Sequence, residues 1–304
     1  MQKTLARDVT CRSVGLHSGR KVRMTIRPTA ADEGIVFCRS DVGRDNMIQA
    51  TPSNVSDTTL ATTLGLNGTR ISTVEHLLSA LFGLGIDNAV VETDSFEIPI
   101  MDGSSEPFVA LLKEAGLEEQ HKEKKCLVIT KPLSVTDGVG TVSLHPSDMF
   151  EITCHIDFTH PAVGKQSHHL VFSPDMYERT ISPARTFGFL HEVEYLQAKG
   201  LALGGSLKNA IVLNGTKVIN KEGLRFPDEF VKHKILDAIG DVSLLGVPIR
   251  GHLVARRSGH KLNNMLLRTL LQRPDCWTME TLEPDIAAQP SQATVEKAAG
   301  SVQA

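Results

Sequence analysis

A stripe of polar side chains is predicted on one helix of this chain, in the stretch from 230 to 241. His233, Asp237 and Asp241 follow one another at four-residue intervals, so a helix would place them on one face. A His and a carboxylate one turn apart can hold a metal ion from a single rigid element. The alternative is a solvated helix face that carries an Asp–His pair, and this stretch taken alone favours that alternative.

A second candidate ligand, His76, lies at the start of another predicted helix. Ser72 and Glu75 have the spacing of a capping box, which predicts that the helix begins at Ser72 and that Glu75 caps it. His76 falls where a hydrophobic staple would place an apolar residue opposite Ile71, so its polar ring indicates another use. The N-terminal end of a helix also favours the neutral imidazole, which is the form that binds metal.

His76, His233 and Asp237 together would supply two imidazoles and one carboxylate to a metal ion. This set leaves a coordination position open and is typical of catalytic zinc, and it also occurs in non-haem iron enzymes. Glu75 adjoins the first ligand and is placed to act as a general base on water. The residues alone therefore leave zinc hydrolysis and iron chemistry both open.

One further His, His260, follows Ser258 and Gly259 on a glycine-hinged loop. A His that is oriented by a carboxylate is a common general acid, and Asp241 is the candidate carboxylate. For a single His, a structural role is the simpler alternative. The residues therefore predict an acid–base pair, Glu75 and His260, beside the metal ligands.

The elements that position these residues are predicted to occur in the same order in both halves of the chain. Each half has strands, a helix, a strand and a second helix, which indicates an internal repeat. The later predicted elements are a strand at 87–92 and helices at 108–115, 230–241 and 262–271, with a strand at 247–254. A pseudo-symmetric pair would bring the helices of His76 and His233 together at the junction of the halves. Segment 183–214 has no counterpart in the first half, and 58–63 is predicted as a strand or a loop.

Length, charge and cysteine content exclude several classes of protein. The chain has 304 residues and a net charge of −3, so it is long enough for two domains and is not expected to bind nucleic acid. It has no apolar run of the roughly 20 residues that a transmembrane segment needs, and its N-terminus has no apolar signal segment. The five scattered Cys fit a reducing compartment, so a cytoplasmic location is predicted.

A charged run at 118–125 is interpreted as a solvated linker that separates two domains. The first domain is predicted at 1–120 and the second at 126–280, with 183–214 as an insert in the second. After Thr281 the chain is rich in Ala, Gln, Pro and Ser, so 281–304 is predicted to be a disordered tail.

Several short motifs carry a resemblance to one enzyme family. They are GLHSG at 15–19, ISTVEH at 71–76, IPIMDGS at 98–104, ARTFGF at 184–189, HKILDAIGD at 233–241 and SGH at 258–260. In these motifs, and over nearly the whole chain, the sequence resembles the UDP-3-O-acyl-N-acetylglucosamine deacetylases, zinc enzymes of lipid A biosynthesis in Gram-negative bacteria. The resemblance implies an α+β fold of two related domains, each a layered sheet-and-helix sandwich, with the active site at their junction. It also implies removal of the N-acetyl group from UDP-3-O-(3-hydroxyacyl)-N-acetylglucosamine, with release of acetate.

The resemblance implies a role for each candidate of the metal and acid–base set. The zinc ligands would be His76, His233 and Asp237, and Fe²⁺ also suits this site. Glu75 would be the general base, and His260 would be a cationic partner or a general acid. The expected partner is a small molecule, the acylated UDP-sugar, and the chain is compatible with a monomer.

The resemblance also implies substrate contacts. Thr186 would help to hold the oxyanion, Phe158 would stack on uracil, and Lys234 and Arg257 would face phosphates. The insert would line an apolar passage for the acyl chain, and its apolar side chains are Phe187, Phe189, Leu201 and Leu203. This chain departs from its relatives at 139–141, where a basic residue often follows the turn, so a nucleotide contact is missing there or is supplied elsewhere.

Two alternatives belong to other functional classes. One is a non-catalytic, metal-stabilised protein that binds an acylated nucleotide sugar, and the other is an iron oxygenase. A binding protein would have no use for a base at Glu75 and an acid at His260. An oxygenase would need no flanking acid–base pair and would consume O₂.

Overall fold

The computed structural model describes residues 1–44 and 46–282, and it has the mixed sheets and helices predicted for an α+β protein. The strands of the first half are β1 Gln2–Leu5, β2 Val9–Val14, β3 Lys21–Pro28, β4 Ile35–Arg39, β5 Met47–Gln49, β6 Val55–Asp57, β7 Thr63–Leu66, β8 Thr69–Ile71, β9 Ala89–Thr93 and β10 Leu117–Gln120. The helices of this half are α1 Glu75–Gly83 and α2 Glu106–Ala115.

The second half contains more helix than the first. Its strands are β11 Lys125–Ile129, β12 Leu133–Asp137, β13 Gly140–His145, β14 Phe150–Asp157, β15 Lys165–Val171, β16 Phe187–Phe189, β17 Ile211–Asn214, β18 Lys217–Val218, β19 Ile249–Arg256 and β20 Trp277–Thr281. Its helices are α3 Pro174–Met176, α4 Leu190–Ala198, α5 Glu229–Val242 and α6 His260–Leu271. None of the helices in the described part of the chain is long and apolar enough to cross a membrane.

The large sheets of the two halves have the same strand order. The first sheet runs β2-β3-β9-β4-β5, and the second contains β12-β13-β19-β14-β15, to which β11 and β20 are added. In each sheet the strand between the two helices, β9 or β19, pairs antiparallel on one side and parallel on the other. The order β2-β3-β9-β4-β5 thus maps onto β12-β13-β19-β14-β15, which is the internal repeat predicted from the element order.

Helices α1 and α5 occupy equivalent positions in the two halves and pack against each other. Gly240 permits their close approach, because a Cβ at this position would lie 2.0 Å from the Glu75 carbonyl oxygen. Val231, Ile235 and Ala238 share the apolar face of α5 and are buried. Its polar stripe is buried as well, so the solvated helix face that was the alternative does not occur.

The capping box predicted for α1 is wrong. The helix begins at Glu75, and its N-cap residue is Val74, which makes no side-chain capping bond. The Ser72 hydroxyl accepts a hydrogen bond from Thr63, and the Glu75 carboxylate accepts one from the Thr62 backbone N–H at 3.0 Å. A hydrophobic staple between position 76 and Ile71 does not apply either, because Ile71 is the last residue of β8. Ser72 and Glu75 thus bond to Thr63 and Thr62 and do not cap α1.

The structure also gives the outcome for the charged run, His260, segment 58–63 and the tail. The charged run is not wholly a linker, because Leu117–Gln120 forms β10 and pairs with β1. His260 does not lie on a loop but is the first residue of α6. The segment 58–63 is a connection between β6 and β7, and only Thr63 is in a strand. Of the predicted tail, Thr281 ends β20, and 283–304 lies outside the described residues.

Candidate active site

The structure brings His76, His233 and Asp237 together where α1 meets α5. One ligand atom from each lies within 4.8 Å of the others. The Oδ1 atom of Asp237 is 3.3 Å from His233 Nε2 and 3.5 Å from His76 Nε2. All three side chains are buried, with 2–4% of their surface exposed. Two imidazole nitrogens and one carboxylate oxygen therefore face a common point.

Two of the three ligands, His233 and Asp237, are held by hydrogen bonds on their far sides. His233 Nδ1 lies 3.0 Å from the Ala184 carbonyl oxygen. Because a carbonyl only accepts, Nδ1 carries the proton and Nε2 keeps its lone pair. Burial lowers the pKa of His233 to about 3, so the imidazole is neutral. On the carboxylate, Lys234 donates to Asp237 Oδ2 at 2.7 Å, which leaves Oδ1 for another partner.

Among the described residues, Asp237 Oδ1 is buried and has no hydrogen-bond donor. Burial disfavours its ionised form, but His233 and Lys234 outweigh burial and hold the pKa of Asp237 well below its usual range. An ionised oxygen without a donor is costly inside a protein unless it is paired or binds a cation. The residues present thus fit a divalent metal ion.

Glu75 lies beside this set and faces the third buried His of the site. Its Oε2 accepts from the Thr62 N–H, and its Oε1 lies 3.7 Å from His260 Nε2. The side chain is 3% exposed, and burial raises its pKa. A carboxyl with a raised pKa is a stronger base than one in water, as proton abstraction near neutral pH requires.

His260 is held by a buried network on the other side of the site. Its Nδ1 lies 2.9 Å from Asp241 Oδ2, which also accepts from Asn263 at 2.8 Å. Asp241 Oδ1 accepts from the Thr62 hydroxyl at 2.6 Å. Burial opposes the charged imidazole, but Asp241 and Glu75 outweigh burial and raise the pKa of His260 to about 9. His260 is therefore an imidazolium at neutral pH.

A cleft of about 370 Å³ opens over these groups. Phe158, Thr186, Phe187, Phe189 and Lys234, all predicted from the resemblance, line it. Two further predicted contacts are not among its lining residues. Leu201 lies in the connection after α4, and the Arg257 guanidinium pairs with Asp157 at the end of β14.

The motif at 98–104 positions the insert at this cleft. The Thr186 N–H donates to the Gly103 carbonyl at 2.8 Å. Gly103 has a φ of 88°, and a Cβ there would lie 2.2 Å from the Asn209 carbonyl oxygen, so only glycine fits. Arg185, next to Thr186, pairs with the fully buried Glu229 at the start of α5. The insert is thus anchored to both halves.

Several cleft residues were not predicted from the sequence. Leu16, His17 and Leu60 line the cleft from the first half, and Lys261 lines it from α6. Glu97, which is fully buried, accepts from the backbone N–H groups of His17 and Ser18 at 2.7 and 2.8 Å. The glycines around His17 predicted a loop, but Glu97, which accepts from the His17 N–H, lies 80 residues later in the chain. Only the folded structure shows that contact.

Comparisons with known proteins identify the family to which the sequence is similar. A family model described as UDP-3-O-acyl N-acetylglycosamine deacetylase matches residues 2–272. A protein of Syntrophus aciditrophicus (strain SB), named UDP-3-O-acyl-N-acetylglucosamine deacetylase, is 59% identical over 277 residues, which cover 91% of this chain and 88% of that protein. Proteins of the same name from Myxococcus xanthus (strain DK1622) and Saccharophagus degradans are 53% and 50% identical and cover 91% and 94% of this chain, or 88% and 95% of their own lengths.

Proposed function

The chain belongs to the UDP-3-O-acyl-N-acetylglucosamine deacetylase family, and on that premise we propose that it hydrolyses the N-acetyl group of UDP-3-O-(3-hydroxyacyl)-N-acetylglucosamine in lipid A biosynthesis. The family prediction made from the motifs is confirmed by these matches. One observation carries the reaction: two imidazoles and a carboxylate converge beside a buried glutamate–imidazolium pair in one cleft. Water adds to the acetamide carbonyl, the C–N bond breaks, and acetate and a glucosamine amine leave.

We propose Zn²⁺ as the metal, held by His76, His233 and Asp237, and Fe²⁺ suits the same ligands. Bound there, a divalent cation supplies Lewis-acid chemistry, because it polarises a carbonyl oxygen and eases the ionisation of water. Two observations support this assignment: the His233 imidazole is neutral, and Asp237 Oδ1 has no donor among residues 1–44 and 46–282.

The protein's own groups carry the proton transfers in this proposal. Glu75 takes a proton from the attacking water at Oε1, since Oε2 is held by the Thr62 N–H. His260, held through Nδ1 by Asp241, donates its Nε2 proton to the leaving nitrogen as the C–N bond breaks. Thr186 lines the cleft, and in this proposal its hydroxyl donates to the developing oxyanion.

An aromatic cluster at the insert side of the cleft supports a site for the apolar part of the substrate. The Phe158 ring lies 5.6 Å from that of Phe187 and 6.0 Å from that of Phe189, between ring centroids. We assign the acyl chain to Phe187 and Phe189 of this cluster and to the insert beyond them, with Leu201 further along. Uracil stacking on Phe158 and phosphate contacts by Lys234 and Arg257 are part of the same proposal. Lys261 pairs with Asp137 at 2.6 Å. It therefore provides a cation beside the turn before 139–141, where this chain lacks the basic residue of its relatives.

Affinity is expected to rise with the length of the 3-hydroxyacyl chain. Each buried methylene contributes about 0.8 kcal/mol, or roughly fourfold in affinity, until the passage is full. Dissociation constants for a series of saturated chains, measured by calorimetry, check this. The same series on Leu201→Ser protein is the control, and its slope should be smaller. Equal affinity for all chain lengths would place the chain in solvent and leave the insert without this role.

Activity is expected to fall as the pH rises through about 9, because His260 then loses the proton that it donates. The groups that face His260 are Glu75 on α1 and Asp237 and Asp241 on α5, with Asn263 as a neutral neighbour. Asp241→Asn removes the nearest carboxylate, so the alkaline limb should move to lower pH. The pH dependence of kcat, with metal content held constant, checks both statements. An alkaline limb that is unchanged in His260→Ala would assign the proton to another group.

A direct test of the proposed function combines metal analysis of purified protein with an acetate-release assay on the acylated nucleotide sugar. The proposal expects about one Zn²⁺ or Fe²⁺ per chain and one acetate per substrate consumed. Tight binding of the sugar without acetate release would favour the binding protein. Consumption of O₂ in step with substrate would favour the oxygenase.

The domain division proposed from the sequence is retained, with one domain at 1–120 and another at 126–280 that includes the insert 183–214. Its support is the shared strand order of the two large sheets. We further propose that the enzyme acts in the cytoplasm as a monomer. A nucleotide-sugar substrate supports the location.

A further inference from the structure

A second cluster of metal-ligating side chains lies on the outer face of the large sheet in the second half. It consists of Glu151 on β14, His169 on β15 and His252 on β19. One ligand atom from each residue lies within 4.8 Å of the others. The alternate residues of β14, such as Ile152 and Cys154, are buried on the face that packs against α5. The cluster is therefore separated from the cleft by the thickness of the sheet.

Strand register explains why these three side chains meet. Successive side chains of a strand point to opposite faces, and neighbouring strands lie about 5 Å apart. Glu151 lies directly beside His252 on β19, and Thr153 lies directly beside His169 on β15. Glu151 and His169 are thus diagonal neighbours on one face of adjacent strands, a spacing that long side chains can bridge.

Two hydroxyl groups orient the cluster. Ser147 donates to Glu151 Oε1 at 2.5 Å, which leaves Oε2 at 3.4 Å from His169 Nε2. The Thr153 hydroxyl lies 2.9 Å from His169 Nδ1 and 2.8 Å from His252 Nε2, so it holds both rings. Contact of His169 through Nδ1 directs its other nitrogen at the carboxylate. Outer hydrogen bonds of this kind are what orient imidazole ligands in metal sites.

We propose that Glu151, His169 and His252 form a second metal site, which binds a divalent transition cation such as Zn²⁺. Two imidazoles and one carboxylate are ligands for Zn²⁺, Ni²⁺ or Cu²⁺, whereas Mg²⁺ and Ca²⁺ take oxygen ligands. The site is partly open, since His169 is exposed and its two partners are half-buried. Solvent completes the coordination, and the affinity is lower than in the buried cleft.

A cation in this site would tie together three strands. In the described structure, β15 pairs only with β14, so its other edge is open. The inner face of β15 supports the start of α5, where Gln166 accepts from the Val231 N–H at 3.2 Å and His168 lies 2.9 Å from Asp228. Binding is therefore expected to stabilise β15 and the support of the helix that carries His233 and Asp237.

The test is calorimetric titration of Zn²⁺ into enzyme that already holds one equivalent, with wild type, His169→Asn, His252→Asn and His155→Asn compared. His155 is the matched control, because it lies on the same outer face of β14 outside the cluster. Wild type and His155→Asn should bind one additional equivalent, and each cluster variant should bind it at least about tenfold more weakly. The deacetylation rate of the one-zinc enzyme should be the same in all four, since none of these residues lines the cleft.

Thermal unfolding of the same samples gives an independent readout. Added Zn²⁺ should raise the Tm of wild type and of His155→Asn, and it should not raise the Tm of the cluster variants. Glu151→Gln, which keeps the size of the side chain, should give the same result as the His variants. Agreement among the three variants would show that loss of the Zn²⁺ effect does not come from misfolding of one of them. Identical isotherms and Tm shifts in all the proteins would overturn the second site.

Discussion

His233→Ala protein is expected to fold, to contain little bound metal after purification and to release acetate only at the background rate. His233 is one of three ligands, and its position is held by the Ala184 carbonyl. Removal of even an outer partner of a metal ligand lowers affinity by about 10–100-fold, so loss of the ligand itself should cost more than that. Metal content by atomic spectroscopy and acetate release on one preparation measure both effects.

Matched variants make this result specific. Asp237→Ala and His76→Ala should lose metal to a similar extent, because each removes one of the converging atoms. His121→Ala is the control, since His121 is exposed and lies outside the site, and it should retain both metal and activity. Full metal retention in His233→Ala would remove α5 from the metal centre, whatever happened to the rate.

Helix α5 and its polar stripe could be predicted from the sequence, because the evidence for them is local. Pro227, the acidic residues after it and Gly246 favour a helix between them, and the predicted helix 230–241 differs from the observed Glu229–Val242 by one residue at each end. The polar stripe followed from helical periodicity alone. Its meeting with His76 followed from the repeated order of elements, which placed α1 and α5 at equivalent points. Whether the stripe faced solvent or the partner helix was a tertiary question, and the structure answers it.

Several contacts that the sequence missed join residues on different structural elements. Thr62 bonds to both Glu75 and Asp241, and Glu97 holds the loop of His17. In each pair the partner lies on another strand or connection. The periodicity of a single segment therefore cannot predict the contact. The capping box failed for the same reason, because Ser72 has the right spacing but is engaged by β7. A local motif predicts a local bond only where no strand competes for the same groups.

Glu75→Gln is expected to keep its fold and its metal while kcat falls by a factor of about 10² or more. The sequence suggested two roles for Glu75, a cap and a base, and the structure removes the cap. The remaining structural bond is from the Thr62 N–H to Oε2, and a Gln carbonyl oxygen can accept the same bond. A Gln amide cannot take a proton from water, so only the catalytic role is lost. Metal content, Tm and kcat on one preparation separate the two roles.

Glu75→Ala provides the contrast that identifies the base. Alanine leaves the buried Thr62 N–H without its acceptor, which costs about 1–3 kcal/mol of stability. This variant should therefore lower both the Tm and kcat, whereas Glu75→Gln should lower kcat alone. If instead a fully metallated Glu75→Gln protein turned over at nearly the normal rate, the proton from water would have to go to another group. The imidazolium of His260 could not serve, because with a pKa of about 9 it is already protonated at neutral pH. The assignment of base to Glu75 and acid to His260 thus depends on this one substitution, whereas the assignment of the metal ligands does not depend on it.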